Sequence, residues 1–482
     1  MEPLSPPSGR IRWLIAGTFS PAPSGRRVPL SAESLSEELA RMGRGLSLTV
    51  PDRIGEGDAS SYELSFGSLR DFELSAVIDA IPDLRALRGI HGALTGTQAP
   101  HAADAARLES DLSRGRLAAA MAEAFRGAGS PQDARRATLG VLEEALFITA
   151  RDLLRHPLVA RLESGWRGLS WLWAHASAST DLDIEVLDVE PAQRVDALKR
   201  CLDVSPMQRP DACFLLDPCD ELETLYRLAA LGEEAWLPMV VAGPSALLGA
   251  ARADEGKAPA PPEAWNRLRA DEASRWLCAA LNPVVMASEQ QGSVRRECFA
   301  SPALAVAALL AASYRETRTF ARLVGPGSGT RAPGVWQPQG RSTVATEVGI
   351  SLREQQRLAA LGLLGVGGWW DSDAVQLAAA PTVYGGRDAA PLPAQLLTGR
   401  LVRLAQELAE RLPASAGDDA VAALFSRAAE VCFPSSSGRA CQLQARVVRT
   451  GPRGRGVHVR ATLRPELAGT PLQLELTLPL RT

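Results

Sequence analysis

The sequence predicts an α/β fold in which a small α/β module is followed by a larger mixed-sheet α/β region with terminal antiparallel strands. Two patterns indicate this class. Apolar runs at 212–217 and 238–242 flank a helical stretch, and a strand, a helix and a strand with short joins make a βαβ unit with a parallel pair. Near the C-terminus, apolar and polar residues alternate over 443–447, 457–463 and 472–478, which is typical of antiparallel strands with one buried face.

The composition describes a globular protein and excludes several functional classes. The 482 residues are 46% apolar and 22% charged, so roughly two or three domains are expected. A formal net charge of −3 and a pI near 6.1 give no electrostatic reason to expect nucleic acid or an anionic membrane as a partner. The longest apolar run, 303–312, is about half of what a bilayer requires, and the N-terminus lacks the pattern of a secretory signal. Seven cysteines without a C-x-x-C pair are typical of reduced thiols, so we expect a soluble cytoplasmic protein.

The first 95 residues carry the pattern of a small α/β module. A strand is expected at 10–17, and Ser31 is expected to cap a short helix through Met42. Two further strands are expected at 46–50 and 62–66, because apolar and polar residues alternate there. A helix carrying Val77, Ile78, Ile81, Leu84 and Leu87 follows.

The next part of the chain is predicted to be helical. Residues 96–112 have the composition of a connector, and 114–155 form helices with one break. Within 156–173, apolar residues at positions 158, 162, 166, 169 and 173 are spaced like one face of a helix. Glu163 and Arg167 fall outside this stripe, so we expect a two-faced helix that docks with its apolar side.

Later segments add a strand at 182–189 and three helices. Asp220 and Glu223 are expected to cap the helix of the βαβ unit, and Gly232 to end it. The alanine-rich stretch 303–314 predicts a buried helix, and a second capping pair opens a helix at 351–361. For Trp369 and Trp370, packing in a strand or core is favoured over an exposed patch.

Four pieces in the first 95 residues, taken in order, resemble the small sheath subunit (TssB/VipA) of bacterial type VI secretion systems. An Ile-x-(Phe/Leu)-Leu-Ile-Ala-Gly-x-Phe strand is matched by 11–19, and Leu-x-Leu-x-Val-Pro-x-Arg by 46–53. Ser-Leu-x-Asp-Phe-x-Pro is matched at 68–72, with Leu74 where proline is expected, and Pro-x-Leu-Arg-x-Leu at 82–87.

The rest of the chain resembles the large sheath subunit (TssC/VipB) of the same systems. The stretch His-Pro…Leu-Glu…Trp-Arg-Gly-Leu at 156–169 matches its signature, and 238–249 matches the end of its βαβ unit. Residues 346–362 match its Thr-Glu-Val segment, with alanine for proline at 345 and leucine for phenylalanine at 363, whereas 385–440 match poorly. The signature positions are His156, Pro157, Glu163, Trp166, Arg167, Gly168, Thr346, Glu347, Leu361, Gly362, Arg464 and Pro465.

These resemblances imply a fusion of the two subunits. Residues 1–95 would be the small-subunit module, 96–112 a linker and 113–482 the large-subunit region. The implied function is that of a structural protomer of a contractile sheath, which polymerises around an inner tube protein (Hcp-like) and contracts to propel it. The implied partners are further copies of the chain, baseplate components and a ClpV-type AAA+ ATPase. A non-polymerising adaptor or baseplate component of the same machinery is the alternative.

Both ends of the chain are predicted to be strands, and strands with unpaired edges invite pairing with another chain. The residue pattern alone also allows both strands to close sheets within this chain. The sheath resemblance implies that such strands are exchanged between neighbouring protomers. The residues expected at this interface are Ile11, Trp13, Ile15, Leu472, Leu474, Leu476 and Leu478.

The sequence shows no enzyme motif. Gly325–Thr330 lacks the spacing and the lysine of a phosphate-binding loop, and the turn 217–220 has no glycine of a dinucleotide fingerprint. Its two aspartates are more typical of a helix cap than of a metal site. The five histidines are scattered without ligand spacing. We therefore predict no catalytic residue, cofactor or metal, with an α/β enzyme of unknown chemistry as the remaining competitor.

Overall fold

The computed structural model describes most of the chain. The described residues are 9–96, 115–127, 129–176, 181–252, 262–292, 294–325, 327–338, 340, 342–413, 415–433, 441–449 and 455–480. Nearly all of the predicted connector at 96–112 lies outside them.

The secondary structure alternates between strands and helices. The strands are β1 (Ile11–Gly17), β2 (Arg27–Leu30), β3 (Leu46–Pro51), β4 (Ala59–Leu64), β5 (Leu182–Asp188), β6 (Ala212–Pro218), β7 (Met239–Ala242), β8 (Leu277–Leu281), β9 (Val284–Gln291), β10 (Val294–Ala300), β11 (Thr330–Arg331), β12 (Leu363–Gly367), β13 (Ala374–Leu377), β14 (Cys441–Arg449), β15 (Arg455–Leu463) and β16 (Leu472–Pro479). The helices are α1 (Leu35–Met42), α2 (Leu74–Ala80), α3 (Pro82–Thr95), α4 (Arg116–Arg126), α5 (Pro131–Glu143), α6 (Thr149–Arg155), α7 (Pro157–His175), α8 (Arg194–Leu202), α9 (Leu222–Ala235), α10 (Ala246–Arg252), α11 (Glu263–Ala270), α12 (Pro302–Thr317), α13 (Leu352–Ala360), α14 (Leu392–Arg411), α15 (Asp418–Cys432) and α16 (Pro465–Ala468). A π-helical turn (Glu144–Ile148) joins α5 to α6.

Nine strands of the described residues form one sheet in the order β11-β13-β12-β8-β7-β6-β1-β5-β2. Six consecutive strands, from β12 to β5 in this order, run parallel. The three others, β11, β13 and β2, each pair antiparallel to their neighbours. The α/β class with a large mixed sheet is confirmed, and so is the parallel pair of β6 and β7. Two smaller sheets pair β3 with β4 and β9 with β10, and a third has the order β14-β15-β16.

Helices cover both faces of the nine-stranded sheet, so its inner strands are buried on both sides. In β1, Trp13 faces the layer that contains α7 and α12, whereas Leu14 faces the layer that contains α9 and α11. Residues Pro302 to Tyr314 of α12 are all buried, as the alanine-rich sequence predicts. Two-sided burial explains why these strands are almost continuously apolar.

Three predicted boundaries shift for local reasons. Ser34, not Ser31, occupies the N-cap of α1, and Ser31 accepts the Leu35 N–H through its backbone carbonyl. Residues 59–64 pair with β3, so β4 ends at Leu64 and not at Phe66. The helix predicted after 73 is divided, because Ile81 between α2 and α3 takes an extended conformation.

The helix of the βαβ unit also differs from the prediction at both ends. Glu221 occupies the N-cap of α9, and Asp220 accepts a hydrogen bond from the Ser245 N–H at 3.3 Å instead. Gly232 lies inside α9, where a Cβ atom would be 2.8 Å from the Leu237 carbonyl oxygen and 2.9 Å from the Trp276 Cβ. This glycine therefore allows close packing, and the helix ends three residues later, before Trp236 at φ 53°.

The prediction that Trp369 and Trp370 pack in a core or strand is wrong. Their exposed fractions are 61% and 48%. They lie in the turn between β12 and β13, and Gly368 approaches the Ala374 carbonyl too closely to carry a side chain. The six-membered ring of Trp370 lies close to Gly349, where an added Cβ atom would be 2.2 Å from the Cη2 atom of the indole.

Candidate assembly interface

Two signature residues of α7, Glu163 and Arg167, form a buried ion-pair network with Glu289 of β9 and Arg296 of β10, and we call these four residues the hub. The Glu163 carboxylate is 1% exposed and accepts hydrogen bonds from Arg167 Nε at 2.7 Å and from the Arg296 guanidinium. Arg296 also donates to Glu289 at 2.9 Å. The expectation that Glu163 points away from the buried side of α7 is wrong, because β9 and β10 pack against the face of the helix that carries it.

The hub also binds the backbone of the first 95 residues. Arg167 donates to the Leu69 carbonyl at 3.2 Å, and Arg296 donates to the Phe72 carbonyl at 3.1 Å. Glu289 accepts the Leu74 N–H at 2.8 Å. Hydrogen bonds with charged partners are the stronger class, so the hub joins α7, the β9–β10 hairpin and the segment before α2 into one unit.

Burial shifts the pKa of two hub residues, Glu289 and Arg296. Loss of solvent raises the pKa of Glu289, although the Leu74 N–H and Arg167 act in the opposite direction. Burial lowers the pKa of Arg296 below its ordinary value. Both shifts have the sign expected when charged groups are withdrawn from water.

Trp166 and Gly168 attach α7 to its neighbours. The Trp166 indole is fully buried, donates from Nε1 to the Phe19 carbonyl at 3.0 Å and packs edge-on against the Phe19 ring at 5.7 Å. A Cβ atom on Gly168 would lie 2.2 Å from Leu304 Cδ2 and 3.3 Å from Ala300 Cβ. Gly168 therefore permits the close contact between α7 and α12.

The first two signature residues open α7. His156 occupies the N-cap, where its Nδ1 accepts the Leu158 N–H at 3.4 Å, and Pro157 takes the first helical position. Proline suits that position because its missing N–H would have no partner inside the helix.

The second group of signature residues supports α13 and its surroundings. Thr346 is 1% exposed and donates to the Val348 carbonyl at 2.8 Å, while the Glu347 N–H donates to the Pro283 carbonyl at 2.9 Å. The Leu361 carbonyl accepts from Trp265 Nε1 at 3.0 Å. Gly362 has φ +78°, and a Cβ there would be 2.8 Å from the Val383 carbonyl oxygen, so only glycine fits this turn.

The last signature pair lies between β15 and β16. Arg464 is the exposed N-cap residue of α16, and Pro465 is its first helical residue. The Leu467 carbonyl of this short helix accepts the Phe320 N–H at 3.2 Å. The pair thus helps to position the connection that leads into β16.

The expectation of a free backbone edge at the N-terminal strand is wrong for this chain. β1 lies between β5 and β6 and pairs with both in parallel register. The side chains of Ile11, Trp13 and Ile15 are buried in the core. An intermolecular role for these three residues would require β1 to leave its own sheet.

The C-terminal sheet agrees with the predicted alternation. In β16, Leu472, Leu474, Leu476 and Leu478 are half-buried against the core, while the residues between them are exposed. On the exposed face, Arg460 Nε donates to Glu475 at 2.6 Å, and His458 lies 3.2 Å from the Thr477 hydroxyl. Their intermolecular role remains a prediction.

The outer edge of β16 has no strand partner among the described residues. The Leu480 N–H donates to the Arg455 carbonyl at 2.9 Å, and hydrogen-bonded pairs alternate along antiparallel strands. It follows that the backbone groups of Gln473, Glu475 and Thr477 point away from β15. Pro479 adds a carbonyl but no N–H to this open edge.

The opposite edge of the same sheet is partly covered. By the same alternation, the Val447 N–H of β14 points away from β15. It donates to the carboxylate of Asp418, the first residue of α15, over 2.6 Å. This bond agrees with the orientation inferred from Leu480, and it leaves β16 as the more accessible of the two edges.

In the described part of the chain, the side chains that could bind a metal ion do not form a cluster. There, no group of three or more histidine, cysteine, aspartate or glutamate residues could hold a metal ion. Burial raises the pKa of the Cys219 and Cys298 thiols to about 11 and that of Cys441 to about 12.

No helix among the described residues is long and apolar enough to cross a bilayer.

The sequence missed Glu289 and Arg296 as parts of the site. Residues 294, 296, 298 and 300 of β10 face inward, so an arginine at an inward position of an otherwise apolar series was the available signal. The described residues thus define an α/β protein in which two signature residues take part in an internal hub and whose terminal sheet has an edge without a strand partner.

Comparisons with known proteins give matches only among solved structures. No protein-family model matches the sequence, and no curated protein matches it. A chain of the contracted helical sheath of the anti-feeding prophage has a TM-score of 0.35 and 13% identity, over 65% of this chain and 78% of that one. A chain of the six-fold symmetrised anti-feeding prophage baseplate has a TM-score of 0.38 and 12% identity, over 66% of this chain and 78% of that one. A chain of the contracted sheath complex of PVC, an extracellular contractile injection system, has a TM-score of 0.36 and 11% identity, over 69% of this chain and 81% of that one. Because these TM-scores are low, the likenesses establish no common fold.

Proposed function

We propose that the chain is a structural subunit of a contractile sheath and that it self-associates by accepting a strand of a neighbouring copy at the outer edge of β16. The observation that carries this proposal is the eight-residue, regularly alternating strand β16, whose outer edge has no strand partner among the described residues. Unpaired N–H and C=O groups along such a strand are a template for another chain.

The edge lacks several of the features that usually prevent strand addition. Natural edge strands are blunted by bulges, by lysine and by proline. The register of β16 with β15 runs without interruption from Leu472 to Pro479. Its one charged residue, Glu475, is paired with Arg460, and its one proline is the last residue.

The hub supports a mechanical role for the subunit. A sheath that changes length needs protomers that move as rigid bodies while their connections are kept. The hub ties the first 95 residues to α7 and to the β9–β10 hairpin through buried charged hydrogen bonds. A unit held in this way transmits force between its surfaces without internal rearrangement.

The sequence resemblance supplies the finer part of the proposal. It implies a type VI secretion sheath formed from a fusion of TssB/VipA-like residues 1–95 and TssC/VipB-like residues 113–482. The partners would be an Hcp-like inner tube, baseplate components and a ClpV-type AAA+ ATPase. Co-sedimentation of the purified chain with each of these proteins tests this part separately.

Strand addition is tested by a proline at an outward-facing backbone position. Thr477→Pro removes an N–H that points away from β15, so the chain's own sheet is expected to remain intact. Thr477→Val keeps the N–H and is the matched control. We expect polymers in electron micrographs of the wild type and of Thr477→Val, and none for Thr477→Pro. Polymers of normal length from a folded Thr477→Pro protein would contradict the proposal.

One observation favours a second candidate, a sheath-derived adaptor or baseplate component that does not polymerise. A head-to-tail polymer built by strand exchange needs both a donated strand and an accepting edge. β1 is enclosed in its own sheet, so the β16 edge has no free donor strand to match it at the N-terminal side of the described residues. Light scattering after size exclusion distinguishes the candidates, since an adaptor remains a monomer or a small oligomer at every concentration.

A further inference from the structure

A small cavity near the start of the chain is lined mainly by arginines. Its volume is about 190 Å³, and it lies between the N-terminal strand, the loop before β6 and α14. The arginines that line it are Arg10, Arg12, Arg209, Arg400, Arg403 and Arg411, together with the carboxylates of Asp211 and Glu407. Positive charge therefore predominates in this cavity, although the whole chain has a formal net charge of −3.

The floor of the cavity is a rigid, buried pair of guanidinium groups. Arg400 and Arg403 are each 1% exposed, and both donate to the Asp211 carboxylate at 2.7 Å. Arg400 also donates to the carbonyls of Gly9 and Arg10 at 2.6 and 3.1 Å. One carboxylate is thus shared by two buried cations, so one positive charge of this cluster is left uncompensated, and the carbonyls supply partial charge only.

Two further arginines have donors to spare. In the described part of the chain, the Arg12 side chain donates only from Nη1, to the Met207 carbonyl at 3.2 Å. The Arg209 side chain donates only from Nε, to the carbonyls of Leu202 and Val204 at 3.1 and 3.3 Å. The remaining N–H groups of both guanidinium groups are unpaired within the described residues, and both residues line the cavity.

The arrangement suits a compact anion with several oxygen atoms. A guanidinium group presents its donors as a planar fork that matches phosphate oxygens in pairs. Cations held close together in a partly buried site repel one another, and a bound anion relieves that repulsion. The cavity volume of about 190 Å³ accommodates a phosphate or a diphosphate group.

We propose that this cavity binds a phosphate-type oxyanion, with Arg12 and Arg209 as the groups that contact it and with the Arg400–Asp211–Arg403 cluster as the positively charged floor. Bound there, the anion would link the N-terminal strand to α14 and to the loop before β6. The site is distinct from the β16 edge at which assembly is proposed, because its lining residues lie within 10–12, 205–211 and 400–411 and none of them belongs to β16.

Isothermal titration calorimetry of the full chain at constant ionic strength tests the site. The titrants are orthophosphate, pyrophosphate and ATP, so that a free phosphate is distinguished from the phosphate tail of a nucleotide. We expect saturable binding of at least one of them, weakened about tenfold or more by Arg12→Gln and by Arg209→Gln, since each removes one charge-assisted contact.

The control is Arg267→Gln, which removes an exposed arginine outside the cavity and is expected to leave binding unchanged. Circular dichroism of each variant confirms that it is folded. Absence of heat with all three titrants at millimolar concentration, or equal affinity of all four proteins, would overturn the proposal.

Discussion

Replacing one carboxylate of the hub by its amide should destabilise the whole protein. Glu163→Gln keeps the shape of the side chain but leaves Arg296, which is 3% exposed, without one of its two carboxylate partners. Glu163 accepts hydrogen bonds from two guanidinium groups, and each such bond contributes about 1.5–3 kcal/mol. The amide oxygen retains one acceptor, and Glu289 still pairs with Arg296, so we expect a loss of about 3 kcal/mol in the free energy of unfolding.

The measurement is urea-induced unfolding followed by tryptophan fluorescence, to which the neighbouring Trp166 contributes. The matched control is Glu263→Gln, because Glu263 is 86% exposed and lies 3.8 Å from Arg267, and exposed pairs contribute about 0–1 kcal/mol. A double-mutant cycle with Arg296→Met should show a coupling of about 1–3 kcal/mol. Equal losses for Glu163→Gln and Glu263→Gln, or additive effects in the cycle, would refute the account of the hub.

Two further variants test other parts of the fold by the same unfolding assay. Gly362→Ala forces a side chain into a left-handed turn with a carbonyl oxygen 2.8 Å from its Cβ, so we expect the free energy of unfolding to fall by about 2–4 kcal/mol. The control Gly140→Ala, in an open part of α5, should raise it by about 0.5–1 kcal/mol. A Gly362→Ala protein as stable as the wild type would contradict this account. Burial raises the pKa of Asp217 in the folded state, although Arg161 at 3.6 Å acts in the opposite direction. The contribution of Asp217 to the stability of the folded state is therefore complete below the ordinary carboxyl pKa of about 4, and it is lost as the pH rises through the raised pKa. Asp217→Asn should therefore gain stability relative to the wild type as the pH rises above about 4, and parallel stability–pH curves would show that the burial of Asp217 has no such effect.

Local patterns in the sequence predict the elements whose structure depends on local chemistry. The capping pair of Ser351 and Glu354 is present in the structure, with both reciprocal hydrogen bonds, because a cap involves only four consecutive residues. The alternation of β14, β15 and β16 is also confirmed, since a strand with one solvated face displays its period directly.

The failures are positions where distant parts of the chain decide the outcome. Glu163 looks solvent-facing on a helical wheel, but its partner Arg296 is supplied by a strand more than a hundred residues away in sequence. The pairing of β1 with β5 and β6 on both sides depends on segments that no local pattern connects to it. Trp369 and Trp370 are exposed in the turn between β12 and β13, whereas hydrophobicity alone favours burial.

The central position of β1 has a consequence for synthesis of the chain. Arg10 and Asp183, which form a bidentate ion pair at the start of β1 and β5, are 173 residues apart. At ordinary translation rates, roughly 10–35 s pass between the synthesis of the two. During that interval the apolar strand β1 has no neighbouring strand to pair with, so it can aggregate or bind a chaperone. A ribosome-bound chain that stops before residue 182 should therefore bind folding factors through its first 20 residues.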